Sequence, residues 1–263
     1  MTAVLVGYAV VVGLLIGSFL NVVVYRVPAG VSVVRPRSRC PACGAAIQAA
    51  DNVPVISWLV LRGRCRDCRA PISARYPAVE ALTALLFVGV ILRLTVVEDL
   101  PWAVPAYLYL TAVGIALGFI DADTHRLPNA IVLPSYPVLA ALLALASWGS
   151  DDWPALLRAV IGAAALWLLY ACLMVVKQGG MGFGDVKLAG LVGACLAWLG
   201  WGSLVVGAFA AFLFGGAMAL GLLAVGRAGR RTQIPFGPWM LIGAAVGVAV
   251  GEPVWSWYLS LMG

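Results

Sequence analysis

Two aspartates sit where an apolar chain would be expected to avoid them. Asp121 follows the apolar run ending Gly118-Phe119-Ile120 and opens the segment Asp121-Ala122-Asp123-Thr124-His125-Arg126-Leu127-Pro128-Asn129. Asp185 lies in Gly180-Met181-Gly182-Phe183-Gly184-Asp185-Val186-Lys187, just before another apolar run. Charge at such positions is costly, so each is a candidate functional residue. Either one alone has an ordinary explanation, because solvated helix ends carry Asp and an Asp before a helix is a good N-cap. A pair is more informative: facing carboxylates that share one proton can polarise a water and protonate a leaving amide, since two close like charges do not both ionise readily. Gly182 and Gly184 would let a substrate backbone approach the second aspartate, and they permit positive-φ geometry that other residues resist.

A second constellation is Cys40-Pro-Ala-Cys43 and Cys65-Arg-Asp-Cys68, separated by residues 44–64, a spacer marginally longer than the common zinc-ribbon spacing. Each CxxC turn offers two sulfurs to one metal, and closure of the intervening loop would order a segment with almost no hydrophobic core. The expected ligand is one structural zinc on Cys40, Cys43, Cys65 and Cys68; disulfides or a redox pair are the alternative. Cys172 and Cys195 fall in apolar stretches and read as small buried hydrophobes.

The elements that must position these residues are membrane helices. The chain of 263 residues is 63% hydrophobic and 11% charged, with a mean hydropathy of +1.01, far more apolar than a soluble domain. Its apolar runs are long enough to cross about 30 Å of hydrocarbon as helices, and the alternation of a spanning β-barrel is absent. We expect an all-α polytopic membrane helix bundle of about eight transmembrane helices, over 3–25, 78–96, 101–120, 131–149, 155–177, 186–202, 203–226 and 238–260, with a small cytoplasmic zinc-knuckle insertion. The N-terminal run lacks a preceding basic residue and a small-residue cleavage pattern, so it reads as the first span rather than a removable signal.

Lys and Arg are retained on the cytoplasmic side. Of the 17 basic residues, Arg26, Arg35, Arg37, Arg39, Arg62, Arg64, Arg66, Arg69 and Arg75 lie between the first two expected spans. Alternation from there places Arg126, Lys177, Lys187, Arg227, Arg230 and Arg231 on the same side, leaving Arg93 and Arg158 outside. Asp121, Asp185 and the cysteine loop then face the cytoplasm and both termini face out. The net charge of +6 reports topology, and no nucleic-acid partner is implied.

These residues resemble the type IV prepilin peptidases, a bifunctional leader peptidase and N-methyltransferase family of GxGD membrane aspartic proteases. The likeness runs from Gly17-Ser18-Phe19-Leu20-Asn21-Val22-Val23 through Arg26 and Pro28, both CxxC pairs, Arg75-Tyr76-Pro77 with Glu80, and the Asp121 segment. It continues through the Gly182–Asp185 loop to Ile234-Pro235-Phe236-Gly237-Pro238. The resemblance implies that Asp121 and Asp185 are the catalytic pair and Asp123 a neighbour. It implies a prepilin or pseudopilin precursor with a short basic leader, cut after a Gly, whose new N-terminal residue is methylated from S-adenosylmethionine. No soluble methyltransferase fingerprint is visible, so methylation rests on the resemblance, with Gly63 and Arg64 as candidates for the donor site.

On this reading residues 1–26 form the first transmembrane helix, 27–77 the cytoplasmic cysteine and zinc loop, and 78–263 the membrane peptidase bundle. The setting is a bacterial inner membrane, with the lipid bilayer as the other partner. His125, the only histidine, reads as a loop residue in contact with solvent or lipid phosphate, and Ser18 and Asn21 as helix-packing contacts. Glu80 is expected to pair with a basic residue, with a substrate amine as the alternative. Two other classes compete: a zinc-ribbon membrane regulator, which has no need of a second Asp loop, and an ion-coupled transporter, whose acids belong at the midplane.

Overall fold

The computed structural model describes residues 2–176, 181–226 and 235–262. Lys177, Gly180, Arg227, Arg230, Arg231 and Ile234, which entered the readings above, lie outside the described residues. Among the described residues there is no strand, only the isolated bridges Arg39 to Ala46 and Arg64 to Pro71.

The helices are α1 (Thr2–Arg26), α2 (Ile56–Val60), α3 (Arg75–Leu92), α4 (Val104–Thr124), α5 (Asn129–Ser150), α6 (Trp153–Val176), α7 (Phe183–Leu199), α8 (Trp201–Ala224) and α9 (Gly237–Ser260). A π-helical turn, Arg93–Val97, prolongs α3, and a 3-10 turn, Pro101–Ala103, leads into α4. Seven of these segments are long and apolar enough to cross a membrane, as expected of a multi-pass protein. The expected span over 186–202 corresponds to α7, which starts earlier and stops at Leu199. It has 17 residues, about 26 Å at 1.5 Å per residue. Twelve of them are buried, so this helix is apolar all round because protein surrounds it.

The chain divides into two compact units, one of residues 1–104 and 108–116, the other of 105–107 and 117–263. In the first, α1 packs on α3 through small residues. A Cβ added to Gly13 would stand 2.5 Å from the Ala84 Cα, and one on Gly17 2.6 Å from the Glu80 Cα, so only glycine lets these backbones approach. Asn21 Nδ2 donates to the Tyr76 carbonyl at 3.1 Å across the same interface.

In the second unit α6 packs on α7 and α8 on α9. The latter contact is again built from small residues, with a Cβ on Gly247 reaching 2.6 Å from the Ser203 carbonyl and one on Gly251 2.5 Å from the Ser203 Cα. Large apolar residues such as Leu157, Val160 and Phe209 stay exposed on these helices, which suits a hydrocarbon solvent and would be costly in water. Cys172 lies on such an exposed face, contrary to the buried position expected of it, whereas Cys195 is buried.

Candidate active site

Asp121 lies in the last turn of α4, four residues before the helix is closed by His125, whose φ is 52° and whose N–H donates to the Asp121 carbonyl at 2.8 Å. A left-handed residue ends a helix, and His tolerates that conformation better than most. His125 is exposed, as expected of a loop residue. The Asp121 side chain turns inward and is only 4% exposed. Its Oδ2 accepts the backbone N–H of Gly237 at 3.1 Å. Gly237 opens α9, and the first N–H groups of a helix have no intrahelical acceptor, so the carboxylate meets a free donor at the positive end of a helix dipole.

Asp185 is not in a loop before its helix but in the first turn of α7. Its Oδ2 accepts the Gly182 N–H at 3.0 Å, and its own N–H donates to the Gly182 carbonyl at 3.0 Å. This is the carboxylate half of a capping box, so the capping explanation offered for this residue does describe one of its oxygens. The side chain is 8% exposed. The two glycines do not use the positive φ expected of them: Gly182 has φ −87°, and Gly184 is not among the positive-φ glycines. Gly184 is short of space instead, because a Cβ there would stand 3.0 Å from the Leu127 Cβ. Gly182 has more room, its nearest neighbour being Asp185 Oδ2 at 3.6 Å from such a Cβ.

Both aspartates belong to the same compact unit, and both are buried. Each gives one oxygen to a glycine N–H. Among the described residues the other oxygen of each makes no hydrogen bond. The α7 end is further fixed to α5 by Tyr136, whose hydroxyl donates to the Lys187 carbonyl at 2.6 Å, and by Lys187, whose Nζ donates to the Asn129 Oδ1. Asp123 is exposed. Sequence reasoning quoted the Phe236-Gly237-Pro238 segment only for its resemblance and missed its contact with Asp121.

In the other unit, the sulfurs of Cys40, Cys43, Cys65 and Cys68 all lie within 4.8 Å of one another, and the Cys40 and Cys68 sulfurs are 3.8 Å apart. A tetrahedron with metal–sulfur bonds of about 2.3 Å has edges of about 3.8 Å, so the donor set and its spacing fit four-thiolate coordination of a metal. Each knuckle repeats one backbone pattern. Cys40 N–H donates to Ala45 O and Gly44 N–H to Cys40 O; Cys65 N–H donates to Ala70 O and Arg69 N–H to Cys65 O. The fourth residue after the first cysteine has positive φ in both, Gly44 at 72° and Arg69 at 62°. Backbone N–H groups of Cys43 and Ala42 pull the Cys40 thiol down to about 7. At Cys43 a hydrogen bond from the Ala45 backbone favours the thiolate, but the neighbouring sulfurs of Cys68 and Cys40, with desolvation, push it up to about 12. Four clustered thiols cannot all ionise without a cation among them.

The loop is stapled elsewhere. Arg66 forms a two-pronged pair with Asp51, at 2.8 and 2.5 Å, and this hydrogen-bonded guanidinium lowers the Asp51 pKa. Glu80, expected to meet a basic residue, instead accepts the Val55 N–H at 2.7 Å while Val55 is held at φ 60°, ψ −50°, a conformation that a β-branched residue resists. Gly63, at φ 66°, donates its N–H to Trp58 O and accepts from Ile72 N–H. A Cβ at Gly63 would stand 2.9 Å from the Trp58 ring. Each backbone group of Gly63 thus makes a hydrogen bond inside the knuckle, while Arg64 beside it is exposed.

Residues 11–94 match the bacterial peptidase A24 N-terminal domain and residues 108–220 the type IV leader peptidase family. A prepilin leader peptidase/N-methyltransferase of Aeromonas hydrophila is 38% identical over 278 residues, covering 94% of this chain and 91% of that protein. Proteins of the same name from Stutzerimonas stutzeri and Burkholderia pseudomallei are each 36% identical, over 277 residues (95% of this chain, 92% of the relative) and 292 residues (100% and 90%). No solved structure matches the chain. With two family models and full-length relatives spanning nearly all of it, the chain belongs to the type IV leader peptidase family.

Proposed function

We propose that this peptidase is an aspartic endopeptidase that removes the basic leader from type IV prepilin-like precursors, cutting after a glycine at the cytoplasmic face of the inner membrane, with Asp121 and Asp185 as its catalytic pair. The observation that carries the reading is the pair itself: two buried carboxylates of one unit, each with one oxygen held by a glycine N–H and the other uncommitted. A pair holding one proton can take a proton from the attacking water at one carboxylate and deliver the other to the leaving nitrogen. Fixed glycine donors keep the carboxylates oriented without neutralising them as a cation would.

A leader held by the cytoplasm and a following hydrophobic segment in the bilayer would bring the scissile bond to the interface. There Gly182 and Gly184 are the residues against which the substrate backbone would lie. The Lys and Arg asymmetry supports the orientation, with Asp121, Asp185 and the cysteine loop inside and both termini outside; labelling from outside of a cysteine placed at Thr124 would reverse it.

The metal is zinc, held by Cys40, Cys43, Cys65 and Cys68, and its part is to hold the loop closed. The curated relatives carry N-methyltransferase in their names, and on that basis the chain also methylates the new N-terminus, with S-adenosylmethionine as donor. The donor would supply an activated methyl group. The donor's recognition is assigned to Gly63 and Arg64, of which Arg64 offers an exposed side chain, and no step is derived through it.

The test is to incubate the purified chain in detergent with a prepilin peptide, with and without S-adenosylmethionine. The reading requires a cut after the leader glycine without the donor, and a methylated new N-terminus with it. An intact peptide in the presence of folded, monodisperse protein would reject it.

A further inference from the structure

The unit that holds the two aspartates contains three tyrosines turned into the helix packing. Tyr107 donates its hydroxyl to the Cys195 carbonyl at 2.6 Å and Tyr136 to the Lys187 carbonyl at 2.6 Å. Both hydroxyls are thereby satisfied as structural groups. Tyr170, on α6 and 2% exposed, is different: among the described residues its hydroxyl makes no hydrogen bond. No buried side-chain nitrogen or oxygen lacks a partner among the described residues, so this phenol oxygen borders accessible space rather than closed packing.

Its surroundings belong to the aspartate pair. The ring packs on Phe236 at 6.1 Å and on Phe212 at 5.5 Å between centroids, and those two rings are 5.4 Å apart. Phe236 immediately precedes Gly237, whose N–H holds Asp121. The aromatic triad thus carries one unspent neutral donor next to the segment that holds Asp121, in addition to the single proton that the aspartate pair shares. Peptide hydrolysis needs such a donor, because negative charge develops on the carbonyl oxygen as water adds.

We propose that the Tyr170 hydroxyl donates a hydrogen bond to the carbonyl oxygen of the scissile peptide and stabilises it in the tetrahedral intermediate. The inference rests on the dyad reading above. Water oxygen bonds to the carbonyl carbon while one water proton passes to the carboxylate pair, and the electron pair of the C=O bond moves onto the oxygen facing Tyr170. On collapse the C=O bond re-forms, the C–N bond breaks and the pair delivers a proton to the nitrogen. The phenol keeps its proton throughout and is a catalytic residue by contact with the reacting oxygen.

Tyr170→Phe preserves the aromatic triad and removes only the hydroxyl. Its kcat for leader cleavage should fall by about 10²- to 10³-fold, the effect of deleting one oxyanion donor, with KM little changed. Inhibitor binding separates this role from a structural or positioning one. A peptide with a hydroxyl-bearing tetrahedral isostere at the scissile position should bind Tyr170→Phe more weakly than it binds the parent. A reduced-amide peptide, which has no oxygen there, should bind both alike. Equal weakening of both inhibitors, or a kcat near that of the parent, overturns the inference. If the Phe variant does not accumulate, Tyr170→His, which keeps a planar ring and a donor, must retain clearly more cleavage than Tyr170→Leu, and equal loss in the two overturns it. Inactive Asp121→Asn and Asp185→Asn beside a fully active Tyr170→Phe would reject Tyr170 alone, whereas active Asn variants would reject the dyad reading beneath it.

Discussion

The backbone N–H of Gly237 donates to the Asp121 carboxylate over 3.1 Å, across a separation of 116 residues. This contact makes the start of α9 a part of the site, because the donor that orients the first aspartate comes from a helix terminus and not from α4. It also accounts for glycine at 237. A Cβ there would stand 2.7 Å from Asp121 Oδ2 and 3.3 Å from its Cγ, so any other residue must push the carboxylate away.

Gly237→Ala should therefore lower kcat for cleavage by about 10- to 100-fold, the scale on which a small misplacement of a reacting group acts, while the protein stays folded. Steady-state kinetics in detergent decide it. Unchanged kcat would mean that Asp121 needs no help from α9.

The two glycines before Asp185 should differ. Gly184→Ala forces Leu127 and the first turn of α7 apart, and cleavage should drop with it. Gly182→Ala has room and an ordinary φ, so it should fold as the parent does, and a rise in KM there would report contact between its backbone and the substrate. Parallel kinetics and melting curves of the two variants check both statements; a Gly182→Ala less stable than Gly184→Ala would contradict them.

Much of this was legible in the chain. Runs of apolar residues gave the helices because a bilayer leaves the backbone few other choices, and Asp121, Asp185 and the four knuckle cysteines stood out against that background. The boundary at Asp185 was not legible: its side chain bonds back to Gly182, so that α7 already begins at Phe183, an effect that hydropathy does not register. The partnership of Asp121 with Gly237 was invisible for another reason, since no local pattern links a helix end to an N–H far along the chain. Gly184 was singled out for its φ, although its reason is Leu127, a neighbour in space. Tyr170 carries no sequence signal at all, because an apolar helix accommodates a tyrosine for packing alone.

The knuckle should hold one zinc per chain. Metal analysis of purified protein checks this, and a strong chelator should expose the segment between Cys40 and Cys68 to protease. Protein with all four cysteines intact and reduced but no bound metal would contradict the assignment.

The Asp51–Arg66 pair gives the loop a pH dependence of known sign. Arg66 lowers the Asp51 pKa in the folded loop, so the contribution is present above the unfolded carboxylate value of about 3.9 and is lost as pH falls through the lower folded value. Arg66 is 49% exposed, so the effect is small and salt-sensitive. Amide exchange in the loop should be faster in Asp51→Asn than in the parent at neutral pH and low salt, with the difference shrinking in high salt and in strong acid. Equal exchange at neutral pH and low salt would show that the pair does not hold the loop.

The central claim is that Asp121 and Asp185 perform the cleavage together, and three purified variants test it in one leader-cleavage assay. Asp121→Asn and Asp185→Asn each keep the side-chain volume but replace a carboxylate by an amide that cannot cycle the shared proton, so each should abolish cleavage while remaining monodisperse. Asp123→Asn, in the same helical turn as Asp121, should retain substantial cleavage. Near-normal cleavage by Asp121→Asn or Asp185→Asn, or loss confined to Asp123→Asn, would contradict the account.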